Sequence, residues 1–312
     1  MKKLLFSLMS FSVGLIAIAS SSADAKVCFE KGLRYSNGIG VVKDLKEAAK
    51  WFRKAAEQGH ANAQYNLGFC YGNGDGVEKN LIEAVKWYRK AAMQGDFGAQ
   101  YFLGSCYSEG KGVKRDQVEA VRWYRKAADQ GFEVAQYALG LAYAEGEGVK
   151  QDQVEAVRWY RKAADQGLEV AQYNLGLAYA KGSGGVEIDH EKAFFWCLKA
   201  AEQGCDGAYY YVGRAYLAGL GVKKNPSEGV RWLKKSAEQG DDAGQYFLGV
   251  CYMVGMGVRK NPSEAVKWFR KSARQGNDEA RDVLKKLLGA KIEEAVEDAW
   301  QDACEKIKDD TK

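Results

Sequence analysis

The sequence predicts an all-α fold: an α-solenoid of about seven 36-residue helix-turn-helix repeats, closed by a C-terminal capping helix. Three observations predict it. The sixteen-residue word DQVEAVRWYRKAADQG begins at Asp116 and again, unchanged, at Asp152. Trp51, Trp87, Trp123, Trp159, Trp196, Trp232 and Trp268 recur at steps of thirty-six, with one step of thirty-seven into Trp196. Tyr35, Tyr71, Tyr107, Tyr143, Tyr179, Tyr216 and Tyr252 keep the same steps, as do the unit-ending glycines from Gly59 to Gly276. A period of this length marks a packing unit that is copied and stacked.

Residues 1–25 precede the first repeat and carry the pattern of a secretory signal. Lys2 and Lys3 form the positive region, Leu4 to Ala19 the apolar stretch, and Ala23-Asp24-Ala25 the small-x-small cleavage site. The apolar run is shorter than the roughly 20 residues of a spanning helix, so no membrane insertion is expected after cleavage. The expectation is a bacterial protein, periplasmic or secreted, whose mature chain starts at Lys26.

Each repeat within 26–288 then reads as two helices. Ala135, Leu139, Gly140 and Tyr143 fall at helical spacing on a first helix that ends at Gly146. Gly146 and Gly148 form the turn, with Val149 tucked between the helices. Asp152 and Glu155 make a D-x-x-E capping box for the second helix, in which Asp152 accepts a backbone N–H and Glu155 reaches back. Ala156, Trp159, Tyr160 and Ala163 form its buried side, and it stops at Gly167. Both prolines agree: Asn225-Pro226 and Asn261-Pro262 place Asn at the cap and Pro at the first helical position. The thirty-seventh residue lies in Gly182-Ser183-Gly184-Gly185, a loop where an insertion leaves the packing faces in register. One helical pair cannot cover its own Trp and Tyr. Burying an indole removes about 200 Å² from water, roughly 5 kcal/mol before entropy, so the units must stack.

The repeat breaks after Gly276. Residues 278–288 still read as a first helix, but Asp282 replaces the recurrent tyrosine. Residues 289–312 carry Ile292, Val296, Ala299, Trp300, Ala303 and Ile307 on one side of a final helix, as expected of a terminal cap.

Composition narrows the function classes. With 28% charged residues of interleaved sign and a net charge of +5, nothing points to nucleic acid. Seven cysteines leave at least one unpaired in a monomer. Cys70, Cys106 and Cys251 share one repeat position with Ala142, Ala178 and Ala215, so they are expected to be small buried side chains, not a disulfide framework. His60 and His190 have no partner at metal-ligand or triad spacing and are expected at helix starts. No G-x-S-x-G, H-E-x-x-H or P-loop occurs. The Gly-x-Gly-Val loops follow helices and lead into acidic or Asn caps, where a phosphate cradle follows a strand. A non-enzymatic protein without metal or cofactor is expected.

Ala135-Gln136-Tyr137, Leu139-Gly140, Tyr143, Gly146-Glu147-Gly148-Val149, Ala156, Trp159, Lys162-Ala163-Ala164 and Gly167 resemble the Sel-one-like repeat (SLR) family, which is tetratricopeptide-like. The resemblance covers residues 26–288. It implies a right-handed α-solenoid whose first helices line a concave groove, and a role as adaptor or scaffold for other proteins. A cysteine-rich branch of the family includes penicillin-binding, weakly β-lactamase-like members with a cysteine pair eight apart in every repeat. Only Cys197 and Cys205 keep that interval here, so a penicillin-binding or peptidoglycan-associated protein is the second reading.

In the tetratricopeptide layout, Tyr65, Tyr101, Tyr137, Tyr173, Tyr210 and Tyr246 line the groove. Their neighbours change from copy to copy: one row contains Phe69, Ser105, Leu141, Leu177, Arg214 and Val250, another Asn73, Glu109, Glu145, Lys181, Ala218 and Val254. The binding candidates are these tyrosines with Arg214, Glu109, Glu145 and Lys181, and the expected ligand is a protein or extended peptide. A second role stays open for the tyrosines, as rings packed between adjacent repeats. The Trp column is expected in the core. The recurrent Arg-Lys pairs, such as Arg53-Lys54 and Arg125-Lys126, are expected to form a solvated surface paired with glutamates such as Glu47 and Glu119 on the same helix.

Overall fold

The structure, a computed structural model, describes residues 23–288; most of the expected signal segment and the expected cap at 289–312 lie outside the described residues. The described residues are helical with no strand, and they divide into two compact units. The first holds α1 (23–37), α2 (Leu45–Glu57), α3 (Ala61–Asn73), α4 (Leu81–Met93), α5 (Phe97–Glu109), α6 (Gln117–Asp129) and α7 (Glu133–Glu145). The second holds α8 (Gln153–Asp165), α9 (Glu169–Lys181), α10 (His190–Glu202), α11 (Asp206–Ala218), α12 (Pro226–Glu238), α13 (Asp242–Val254), α14 (Pro262–Arg274) and α15 (Asp278–Leu288). Within each unit, successive helices pack on one another in chain order, which makes each an α-solenoid.

The helix ends are chemically specified. Asp44 Oδ1 accepts from the N–H groups of Lys46 and Glu47 at 2.9 and 3.0 Å, and α12 and α14 open on proline behind an asparagine cap. The capping box is only half formed. Glu119 and Glu155 turn forward to Arg122 and Arg158 at 3.1 and 2.5 Å, instead of reaching back to the cap. The cap N–H is already used: Asp116 N–H donates 2.9 Å to the carbonyl of Tyr107, and Asn225 N–H donates 2.9 Å to that of Tyr216. His60 caps α3 by accepting from Ala63 N–H at 3.3 Å and stacks on Phe29, while His190 opens α10 behind its cap Asp189.

The two glycines of each Gly-x-Gly loop have different tasks. Gly146 ends α7 at φ 76°, in the left-handed region that favours glycine. Gly148 is needed for a close approach, since a Cβ there would lie 2.1 Å from the carbonyl oxygen of Gln117, at the start of α6. Gly221 stands the same way over His190. The loop of one repeat is thereby seated on the second helix of the preceding one.

The Trp column lies in the packed layer: Trp123, Trp159, Trp232 and Trp268 are buried and the others half-buried. A lysine three residues on covers each outer ring face, with Lys126 4.0 Å from the Trp123 centroid and Lys162 3.7 Å from that of Trp159. The arginine beside that lysine reaches the next repeat. Arg53 donates to Tyr71 Oη at 2.7 Å, Arg89 to Tyr107 at 2.6 Å and Arg161 to Tyr179 at 2.8 Å, and Arg125 donates likewise to Tyr143. The expected pairing of these arginines with glutamate on their own helix is therefore corrected: Glu47 pairs with Lys50 and Glu83 with Lys86, both three residues on.

A second joint runs through buried glutamines. Gln64 donates to the Ala56 carbonyl at 3.0 Å and accepts from Gln94 at 2.7 Å; Gln100 bridges Ala92 and Gln130 in the same way. In the second unit Gln245 donates to Ala237 and accepts from Gln275. Each relay satisfies a helix-end carbonyl that packing removes from water.

Candidate ligand-binding face

In the first unit the side of α3, α5 and α7 that carries the candidate residues is an aromatic shelf with a polar margin. Tyr65, half-buried, packs against Tyr88 and Phe102 with centroids 6.1 and 5.8 Å away, and its edge lies 3.3 Å from the place a Cβ on Gly98 would take. Tyr101 meets Phe102, Tyr124 and Phe132 at 5.4, 5.7 and 5.6 Å. The rings thus pack between successive repeats while keeping part of their surface open. Phe69, 38% exposed, stands edge-on to Phe102 at 6.2 Å. Tyr137 on α7 is half-buried.

Burial raises the phenol pKa of Tyr65 and Tyr101 and pushes that of Tyr124 up to about 12, so all three are neutral donors at ordinary pH. The margin is charged. Glu109 accepts from Ser105 Oγ at 2.8 Å and pairs with Lys111; the hydrogen bonds from Lys111 and Ser105 hold its carboxyl below the usual range. Glu145 is exposed on α7.

In the second unit the corresponding side of α9, α11 and α13 is different. Tyr173 is half-buried against Gly207, and burial, followed by the thiols of Cys197 and Cys205, pushes its pKa up to about 12. Lys181 is exposed. Arg214 is only 7% exposed, its guanidinium over the rings of Tyr210 and Phe247 at 5.2 and 5.7 Å. Tyr246 is 2% exposed and packs on Phe247 and Phe269. Arg214 and Tyr246 are thus packed residues that offer a ligand little surface.

The described cysteines are unbridged. Cys197 is fully buried, with Sγ 2.5 Å from where a Cβ on Gly176 would sit, and Cys205 precedes α11 as its cap. Burial pushes the thiols of Cys70 and Cys106 up to about 11 and that of Cys251 up to about 12. Among the described residues no three His, Cys, Asp or Glu side chains gather as a metal-ligand set, and no helix is long and apolar enough to cross a membrane.

Sequence reading missed Phe102, which ties Tyr65, Tyr88 and Tyr101 together by ring contacts of 5.4 to 5.8 Å. The equivalent positions carry Asn66, Ala138, Asn174, Tyr211 and Phe247, so the slot alternates between aromatic and other side chains and does not read as a fixed aromatic column.

Comparison with known proteins agrees with this architecture. A family profile described as Sel1 repeat matches residues 25–60, 61–96, 98–132, 134–168, 170–205, 207–241 and 242–277. Among solved structures, the chain is similar to c5321, a protective antigen present in uropathogenic Escherichia coli strains displaying an SLR fold. That match has 38% identity and a TM-score of 0.79, and covers 92% of this chain and 63% of that one. It is also similar to a Sel1 repeat protein from Oxalobacter formigenes, with 36% identity and a TM-score of 0.66, over 89% of this chain and 81% of that one. The chain therefore spans just under two thirds of the E. coli protein. No curated protein matches. Seven consecutive profile matches and these two neighbours establish that the chain belongs to the Sel1 repeat family.

Proposed function

We propose that this protein is an exported, non-catalytic adaptor that binds a protein or extended peptide along the first helices of its repeats. The observation that carries the reading is the shelf on α3 and α5. Tyr65 and Tyr101 are held by ring contacts yet half open, beside the exposed edge of Phe69. Rigid aromatics with few rotamers to freeze are the side chains that dominate binding energies. Asn73, Glu109 and Glu145, which differ between copies and are exposed, supply the selectivity. The signal-like segment at residues 1–25 supports export to a periplasm or beyond, as does similarity to a protein described as a protective antigen. Membership of a repeat family of scaffold proteins supports binding in place of turnover.

The test is crosslinking in the native envelope followed by capture on purified mature protein. Phe69→Ala with Tyr101→Ala is expected to weaken capture of the crosslinked partner at least tenfold while helicity by circular dichroism is unchanged. Undiminished capture moves the site off this face.

A further inference from the structure

Two rows on the first helices change character along the chain. The row after the recurrent tyrosines reads Asn73, Glu109, Glu145 and Lys181, all exposed, and then Ala218 and Val254, both half-buried. From the second repeat on, the middle residue of the Gly-x-Gly loop follows the same course: Asp75, Lys111, Glu147 and Ser183 give way to Leu220 and Met256, which pack against the core of α11 to α15, whereas the apolar Ile39 of the first repeat is 61% exposed. On α13, Val250 and Met253 are each 2% exposed, whereas Phe69, the equivalent of Val250 on α3, is 38% exposed. A first helix inside the array has the same kinds of helical neighbour in every repeat. Burial of Val250 thus needs a layer that α3 lacks.

We propose that this apolar face of α11 and α13 is the docking site of the chain's own C-terminal segment, residues 291–308, and is closed to foreign ligands. The segment follows α15 directly. Its Ile292, Val296, Trp300, Ala303 and Ile307 fall on one side at helical spacing. Eighteen residues of helix measure about 27 Å, and packed helices lie about 8–10 Å apart, so a segment leaving α15 reaches across α13 to α11. The Gly-x-Gly turn that links α13 to α14 within residues 255–261 has no counterpart in the sequence after α15. Charge agrees as well: the segment has six carboxylates against three lysines, and the cation of the face is Arg214. The inference holds whatever binds the shelf on α3 and α5.

Hydrogen exchange read by mass spectrometry on the full chain tests it. Amides of 292–307 are expected to exchange at least about tenfold more slowly than in an isolated 289–312 peptide. Val254→Glu is expected to abolish that protection while α5 and α6 keep theirs. Ala303→Glu, which leaves α13 untouched, is expected to do the same and to raise exchange in α13. Free-peptide exchange in the parent chain overturns the proposal, as does protection insensitive to both substitutions. Protection lost only in Leu287→Glu assigns the segment to an end cap on α15, and protection that falls on dilution assigns the occupant to a second copy. Either result overturns the assignment.

Discussion

Arg161 on α8 donates to the hydroxyl of Tyr179 on α9 across 2.8 Å, and Tyr179 is buried. The bond joins one repeat to the next, while the exposed Arg158 pairs with the half-buried Glu155 of its own helix. These two arginines, three residues apart, are expected to differ in worth. Arg161→Ala should cost about 1–2 kcal/mol in urea unfolding, because it leaves a buried hydroxyl without its charged donor. Arg158→Ala should cost less than about 0.5 kcal/mol. In a double-mutant cycle, Arg161→Ala and Tyr179→Phe should be non-additive.

Two glycines at positive φ separate strain from contact. Gly131 has φ 94° and open space where a Cβ would go, so Gly131→Ala should cost only the left-handed penalty, about 1–2 kcal/mol. Gly148 at φ 70° adds a 2.1 Å clash with a backbone carbonyl that cannot move aside, and Gly148→Ala should cost clearly more, about 3 kcal/mol or above. Calorimetry on the two variants decides the order.

The glutamine relay predicts a penalty for an apolar replacement of nearly the same size. Gln100→Leu strands the Ala92 carbonyl and the Gln130 amide together, and should destabilise by about 2–3 kcal/mol. Unchanged stability in Gln100→Leu would show that the relay is incidental to the packing.

Tyr173 sets an alkaline limit. Its folded-state pKa of about 12 stands above its ordinary value of 10.0, so between those values the folded chain holds a proton that the unfolded chain releases. The stabilisation is complete below pH 10 and is lost as pH rises towards 12, up to about 2–3 kcal/mol from this group. Urea midpoints measured from pH 9 to 12 should fall more shallowly in Tyr173→Phe.

Thiols raised to about 11 and 12 by burial are poor nucleophiles at pH 8. Iodoacetamide without reductant should label Cys70, Cys106 and Cys251 slowly in the native protein and fully in denaturant. Labels absent even in denaturant would mean that these cysteines are bridged.

Local rules made the helices legible. Caps at Asp116, Asn225 and Asn261 and the left-handed glycines mark the boundaries directly, since each acts within a few residues of itself. The joints were not legible by the same means. Arg53 and Glu47 share a helix, so a within-helix reading pairs them, but the partner of Arg53 is Tyr71, 18 residues on. Gln64 and Gln94 are 30 residues apart and join only where α3 and α4 meet, so neither position alone names the other as its partner. On the candidate face, the tyrosine row was readable, whereas Arg214 and Tyr246 are packed among the rings of Tyr210, Phe247 and Phe269, contacts that leave no mark at their own positions in the sequence.

Because Arg53–Tyr71, Arg89–Tyr107 and Arg125–Tyr143 are the same handshake, the molecule is editable by whole modules. Excising residues 81–116 fuses the cap Asn80 to Gln117 and deletes the middle clasp, leaving the flanking two with partners of identical chemistry. Unequal crossing-over between such near-copies yields offspring of different length that are still foldable. The verbatim recurrence at Asp116 and Asp152 is the trace such an event leaves in a chain whose joints do not record which neighbour they were made for.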